Sequence, residues 1–205
     1  PGHHATPGRG MGFCLVNGVA VAAAHALARG LDRVLIVDWD VHHGNGTQDA
    51  FYESDRVLFC SLHQSPLYPG TGAAGERGRG RGEGFTLNVP LRPGLGDADW
   101  LRAFDERVLP AARTFRPELV LVSAGFDAHA ADPLASTRLS EAGFAALARR
   151  VVDLAADHAG GRVVSVLEGG YDAPALGRCV AAVLRVLDGA PADPSAVSEE
   201  TTRRP

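Results

Sequence analysis

Asp38, Asp40 and His42 alternate along the stretch VLIVDWDVHHGNGTQ, Val34 to Gln48, where an apolar run gives way to two carboxylates, two imidazoles and a glycine turn. Alternate residues of an extended chain share one face, with neighbours about 6.5–7 Å apart. Four ionisable side chains in six residues, at the end of a strand built for an interior, are costly to bury without partners or a cation. The plainer alternative is that Asp40 and His42 cap the following turn. The chemistry these residue types favour is a chelate: Asp40 and His42, joined by Asp127 from a later strand, offer two oxygens and one nitrogen. Three protein ligands and an open fourth position are the pattern of catalytic zinc, whereas structural zinc prefers cysteine.

The elements that must position these residues alternate between strand and helix patterns. Val34 to Asp38 is a continuous apolar run, as expected of a strand covered on both faces. Val57 to Leu62 and ELVLVSAG from Glu118 repeat that signature, Phe85 to Val89 is weaker, and RVVSVLEGG begins at Arg162. Between them, helical spacing runs over Asn17 to Arg29, Asp97 to Thr114, Ser140 to His158 with Ser140 as N-cap, and Ala173 to Leu187. This order predicts a mostly parallel α/β sheet. Ligands of such sheets lie beyond the carboxyl ends of the strands, and three strands end in notable residues: Asp38 to His42, Ser123 to Asp127, and Glu168 to Tyr171.

With 205 residues, 45% of them hydrophobic and 21% charged, the chain suits one buried core. A net charge of −4 gives no bulk attraction for nucleic acid or an acidic membrane surface. All basic residues are Arg, which reads as the mark of a GC-rich, bacterial source. Cys14, Cys60 and Cys179 are odd in number and far apart, so a reducing, cytoplasmic compartment is expected. The longest apolar run, Val19 to Ala28, is too short to span a bilayer. Residues 1–190 are expected to form one domain, and the polar, Pro-rich stretch 191–205 a disordered tail. The chain opens on PGHHATPGRG, inside what reads as a loop, and is expected to be a piece of a longer protein lacking its N-terminal part.

Several signals carry nothing further. GTGAAG from Gly70 fits a dinucleotide-loop pattern, but an Arg/Gly run follows it where a helix should. That run is expected to be a solvated loop. No GxSxG, P-loop or HExxH occurs.

Taken in order, PGHHA, MGFCLVN, VDWDVHHGNGTQ, SLHQSPLYPGTG, SAGFDAHAADPL and LEGGYD resemble the motif set of the zinc-dependent histone deacetylase family. That family includes bacterial class II-like members, acetylpolyamine amidohydrolases and acetoin-utilisation proteins. The resemblance runs from Pro1 to about Leu187. It implies a three-layer arginase/deacetylase-type α/β fold with a mostly parallel central sheet, and one zinc bound by Asp40, His42 and Asp127. It also implies a structural potassium held by carbonyls near Asp38, Asp40, His42, Ser61 and Leu62.

On the same resemblance, His4 is general base and then general acid, with His3 its electrostatic partner. Asp38 orients His3, and Asn45 orients His4. Tyr171 donates to the developing oxyanion. Phe13 and Tyr68 wall a substrate channel, with Gly12 offering a carbonyl. Leu134 stands where polyamine-selective members carry an acidic gatekeeper, which favours an acyl-lysine peptide over a small acylated polyamine. The reaction implied is removal of an acetyl or similar acyl group from a lysine-like amine. Acetylpolyamine deacetylation, a non-catalytic remnant and a binuclear manganese hydrolase are the alternatives. His129 could serve a second metal, but Gly44 stands where such a site would want a carboxylate.

Overall fold

Five strands form one parallel sheet: β1 (Val34–Asp38), β2 (Val57–Gln64), β3 (Thr86–Leu91), β4 (Leu119–Ala124) and β5 (Val163–Leu167). The structure is a computed structural model that describes residues 1–189; the expected tail, 191–205, lies outside them. The strand order is β3-β2-β1-β4-β5, with every neighbouring pair parallel. The chain therefore builds outward from β1 on one side, then returns to its other side at β4. Asp38 is level with Ser61 of β2 and Ser123 of β4. The switch point lies between β1 and β4, where an open parallel sheet leaves a crevice beyond its carboxyl ends.

Two apolar layers cover this sheet because β1 and β2 are apolar on both faces. Leu35 and Val37 point into the larger core, with Trp100, Phe104, Phe144 and Leu147. Val34 and Ile36 point into a smaller one, with Val19, Ala23 and Phe59. The small core is closed by α1 (Gly18–Ala28), whose N-cap Asn17 accepts from the Ala20 N–H at 3.0 Å. A short α2 (Asn45–Phe51) contributes Phe51 to the same side. The large core is closed by α3 (Asp97–Ala103), α4 (Leu109–Phe115), α5 (Glu141–His158) and α6 (Ala173–Leu187). Helix, sheet and helix make the three layers that were expected. Among the described residues no helix is long and apolar enough to cross a membrane.

Two elements differ from the sequence expectation. Asp97 to Thr114, read as one helix, is broken by a π-helical turn over Phe104–Val108. Pro110 sits in the first turn of α4 and has no N–H to give to the preceding turn. The second difference is α2 itself, whose Asn-Gly start reads as a turn. It packs so closely that a Cβ on Gly46 would lie 2.2 Å from the Ala5 carbonyl oxygen. The Arg/Gly run is tied down at Arg79 and Arg81, which pair with Glu53 and Asp55. At the sheet's edge, β5 carries Val164 and Leu167 about half exposed.

Phe144 on α5 is fully buried and meets Phe126 edge-on, with ring centroids 5.1 Å apart. Phe126 immediately precedes Asp127, so this contact seats the loop after β4. Phe144→Ala is expected to cost about 3–5 kcal/mol of unfolding free energy. The check is the denaturant midpoint, and a change below about 1 kcal/mol would contradict the packing described.

Candidate active site

Beyond the ends of β1 and β4, the side chains of Asp40, His42 and Asp127 converge, and their ligand atoms all lie within 4.8 Å of one another. The Nδ1 atom of His42 is 3.1 Å from Asp40 Oδ1 and 3.0 Å from Asp127 Oδ2. The remaining oxygens are held by backbone donors. Gly169 N–H donates to Asp40 Oδ2 at 2.8 Å, and Val41 N–H to Asp127 Oδ1 at 2.9 Å. Asp40 and Asp127 are essentially inaccessible to solvent. Glycine is required twice around them. A Cβ on Gly169 would lie 2.2 Å from Asp127 Oδ2, and one on Gly125 2.2 Å from Asp40 Oδ2.

The charges show how costly this cluster is without a cation. Burial, followed by the charge of Asp40, pushes Asp127 up to about 7. Burial works against protonation of His42, but hydrogen bonds to Asp127 and Asp40 outweigh it and raise its pKa to about 10. Asp40 is held below the usual carboxylate range: burial opposes this, and His3 and His42 prevail. The His42 Nδ1 atom thus lies within hydrogen-bond distance of both buried carboxylates. The donor set, two carboxylates and an imidazole on the floor of a pocket, fits a divalent cation such as zinc with an open position.

The tandem histidines lie in a 3₁₀ turn, Gly2–His4, with ring centroids 4.1 Å apart. Their second partners set them apart. His3 Nδ1 meets Asp38 Oδ2 at 2.8 Å, while His4 Nδ1 donates to Asn45 Oδ1 at the same distance. Burial disfavours the imidazolium of His3, yet the charges of Asp38 and Asp40 raise its pKa to about 9. Burial raises Asp38 to about 6 against the pull of His3. Between roughly pH 6 and 9 the pair is therefore imidazolium and carboxylate. His4 has only a neutral amide; burial and then the charge of His3 lower it to about 3. It is neutral at pH 7, with Nδ1–H committed to Asn45 and Nε2 left as its base.

A pocket of about 440 Å³ lies above the cluster, lined by His4, Gly12, Phe13, His42, Leu67, Tyr68, Leu134 and Tyr171. All four expected channel residues are brought together here. Gly12, at φ 61°, lies flat on His4, where a Cβ would come within 2.2 Å of the ring. Phe13 is also left-handed, at φ 67°, and its side chain is 88% exposed. Such a conformation is uncommon for a bulky residue and marks a constrained position. Tyr68 meets His4 edge-on, with centroids 5.0 Å apart. Burial, then the charges of Asp127, Asp40, Asp132 and Glu168, raise the Tyr171 hydroxyl to about 12, which keeps it a donor. A larger groove of about 800 Å³ at the opposite ends of the strands brings no such groups together; its Arg33 and Asp55 pair with Glu118 and Arg81.

Of the residues expected at a potassium site, Asp38 at the end of β1 is level with Ser61 inside β2; Asp40 and His42 follow the end of β1 and Leu62 follows Ser61 within β2, and nothing in the geometry supports potassium there. His129 faces away from the cluster, 3.5 Å from Glu141 Oε2 and accepting from Ala131 N–H. A Cβ on Gly44 would meet Asp38 Oδ2 at 2.2 Å, so no carboxylate fits there. Neither position adds a ligand to the cluster. Sequence reasoning missed three supports. Glu168 accepts from His3 N–H and from Ser123 Oγ–H. Glu76 accepts from Gln48, Gly72 and Ala73, which anchors the loop bearing Tyr68. His63, on β2, is buried and bonded to Ser61 Oγ and the Gly72 carbonyl. Only the position of Glu168 at a strand end hinted at any of these.

Asn45→Asp tests the assignment of charge. A carboxylate in place of the amide is expected to raise the pKa of His4 by about one to three pH units, followed by NMR titration of the imidazole. An unmoved His4 would mean that Asn45 does not set its charge.

Known proteins place this geometry in context. The family model described as "Histone deacetylase domain" matches residues 1–187. The chain is 50% identical to chloroplastic histone deacetylase 10 of Oryza sativa subsp. japonica, covering 100% of this chain and 48% of that protein. It is 49% identical to a histone deacetylase-like amidohydrolase of Pseudomonas aeruginosa, covering 92% and 50%. The solved HDA15 HD domain superposes with a TM-score of 0.89 at 47% identity, over 95% of this chain and 55% of that one. The chain spans about half the length of the curated relatives it matches. The matched region runs through every residue of the cluster and the pocket, and on that ground the chain belongs to the histone deacetylase family.

Proposed function

We propose that this chain carries the active site of a zinc-dependent amidohydrolase that removes an acetyl or similar acyl group from a lysine-like amine. The observation that carries the reading is the pairing of a buried Asp40–His42–Asp127 cluster with a neutral His4 and a protonated Tyr171 around one pocket. Family membership supports deacetylase chemistry in general. Zinc held by the three ligands would supply Lewis acidity toward the amide carbonyl and the attacking water.

The remaining work falls to the chain's own groups. The Nε2 atom of His4 takes the proton of the attacking water, because Nδ1 is already donating to Asn45. The same nitrogen then returns a proton to the departing amine. His3 stays protonated beside Asp38 and offsets the negative charge that builds up nearby. The Tyr171 hydroxyl donates to the carbonyl oxygen as that oxygen gains charge. Phe13, Leu67, Tyr68 and Leu134 form an apolar wall suited to an aliphatic stem. Leu134, about half exposed at the mouth, offers no counter-charge to a polyamine, which favours an acyl-lysine peptide. The potassium expected from the resemblance plays no part in this proposal.

Hydrolysis of an acetyl-lysine peptide is expected to outpace that of an acetylated polyamine. Tyr171→Phe is expected to lower kcat by about 10²–10³ with little change in KM. Steady-state kinetics on both substrates check this. Faster polyamine turnover would overturn the substrate assignment, and an unimpaired Tyr171→Phe would overturn the role of the hydroxyl.

A further inference from the structure

Asp132 belongs to neither the metal cluster nor the pocket lining, yet it touches both sides of the site. It is 7% exposed. Its Oδ2 accepts from the backbone N–H of Tyr171 at 2.7 Å, and its Oδ1 from that of Leu134 at 2.9 Å. Its own N–H donates to the His129 carbonyl oxygen at 2.9 Å, which fixes the turn that follows Asp127. One carboxylate therefore joins the loop carrying the third metal ligand, the loop carrying the tyrosine and the channel mouth.

Tyr171 needs such a support. It follows Gly169 and Gly170, and Gly170 stands at φ 145°. Glycines restrict the chain least of all residues. Up to Gly169 the loop is held firmly: its N–H donates to Asp40, and its carbonyl accepts from Phe126 N–H at 2.7 Å. After Tyr171, Asp172 caps α6 by accepting from Ala175 N–H. The tyrosine lies between these two fixed points and, as a residue, is 39% exposed. The bond to Asp132 holds its backbone.

From this geometry we infer that Asp132 is a positioning residue for catalysis: it fixes the Tyr171 backbone so that the hydroxyl stands over the metal cluster, and ties that placement to Leu134 at the channel mouth. The inference rests on the proposed role of Tyr171 and goes beyond it. A displacement of about 1 Å in a reacting geometry is enough to cost about a hundredfold in rate, so a backbone anchor of this kind matters even though it never meets the substrate.

The two oxygens of Asp132 have separable tasks. The bond to Leu134 spans two residues, an Asx turn that asparagine makes equally well. The bond to Tyr171 is long-range and needs the second oxygen, which asparagine replaces with a donor. Asp132→Asn thus keeps the turn and leaves the Tyr171 N–H facing an NH₂ group.

The test is a double-mutant cycle on hydrolysis of an acetyl-lysine peptide, with Asp132→Asn, Tyr171→Phe and both together. Zinc affinity is read for each. Asp132→Asn is expected to lower kcat about 10- to 100-fold with KM and zinc affinity little changed. In the Tyr171→Phe background it is expected to add no further loss, because the anchor then has no hydroxyl to place. Asp132→Ser, which keeps a short side-chain acceptor for the turn, replaces it in the cycle if the asparagine variant does not fold. A multiplied loss in the double variant would overturn the inference, as would an unchanged kcat or a fall in zinc affinity that matches the fall in kcat. Tyr171→Phe with full activity would instead remove the tyrosine's proposed role, a failure distinct from that of Asp132.

Discussion

The carboxylates of Asp38, Asp40 and Asp127 lie together at one buried rim of the sheet, and the need to offset three negative charges out of water shapes everything around them. Each has a different remedy. Asp38 is matched by the imidazolium of His3. Asp40 and Asp127 share His42 and take backbone N–H groups from Gly169 and Val41. The two carboxylates raise the His42 pKa well above its ordinary value. Burial and then the charge of the protonated His3 leave the neighbouring His4 neutral, its only side-chain partner being an amide. The division of labour between the two histidines thus follows from their different partners.

The sheet makes this crowding possible. Parallel strands end on the same side, and the reversal of order between β1 and β4 opens a crevice where Asp40, His42 and Asp127 meet from two segments. Close approach then dictates composition. Gly12, Gly44, Gly125 and Gly169 each stand where a Cβ would run into a side chain of the site. The loop after β5 therefore has a glycine, Gly169, for steric reasons, and a carboxylate outside the cluster, Asp132, holds the backbone of its tyrosine.

Much of this was legible in the residues. The strands β1, β2 and β4 each begin with four apolar residues in a row, and the starts of α1, α5 and α6 are marked by Asn17, Ser140 and Asp172. The candidate metal ligands followed from alternation and strand position, the place of Tyr171 from its strand end, and its role, the tandem histidines and the channel walls from resemblance. The supports were not legible. Asp132 reads as an ordinary turn residue because its decisive partner lies 39 positions away. Glu76 sits in an Arg/Gly-rich stretch that looks like solvated loop, yet it caps a turn through Gly72 and Ala73. The helix α2 hid behind Asn45 and Gly46, two poor helix formers whose place is decided by tertiary packing.

The most direct measurement is the amount of zinc bound by the purified protein, after chelation and back-titration, alongside Asp127→Asn. The account predicts one equivalent per chain, lost or greatly weakened in the variant. Two equivalents, none, or one that survives the loss of the Asp127 carboxylate would contradict it.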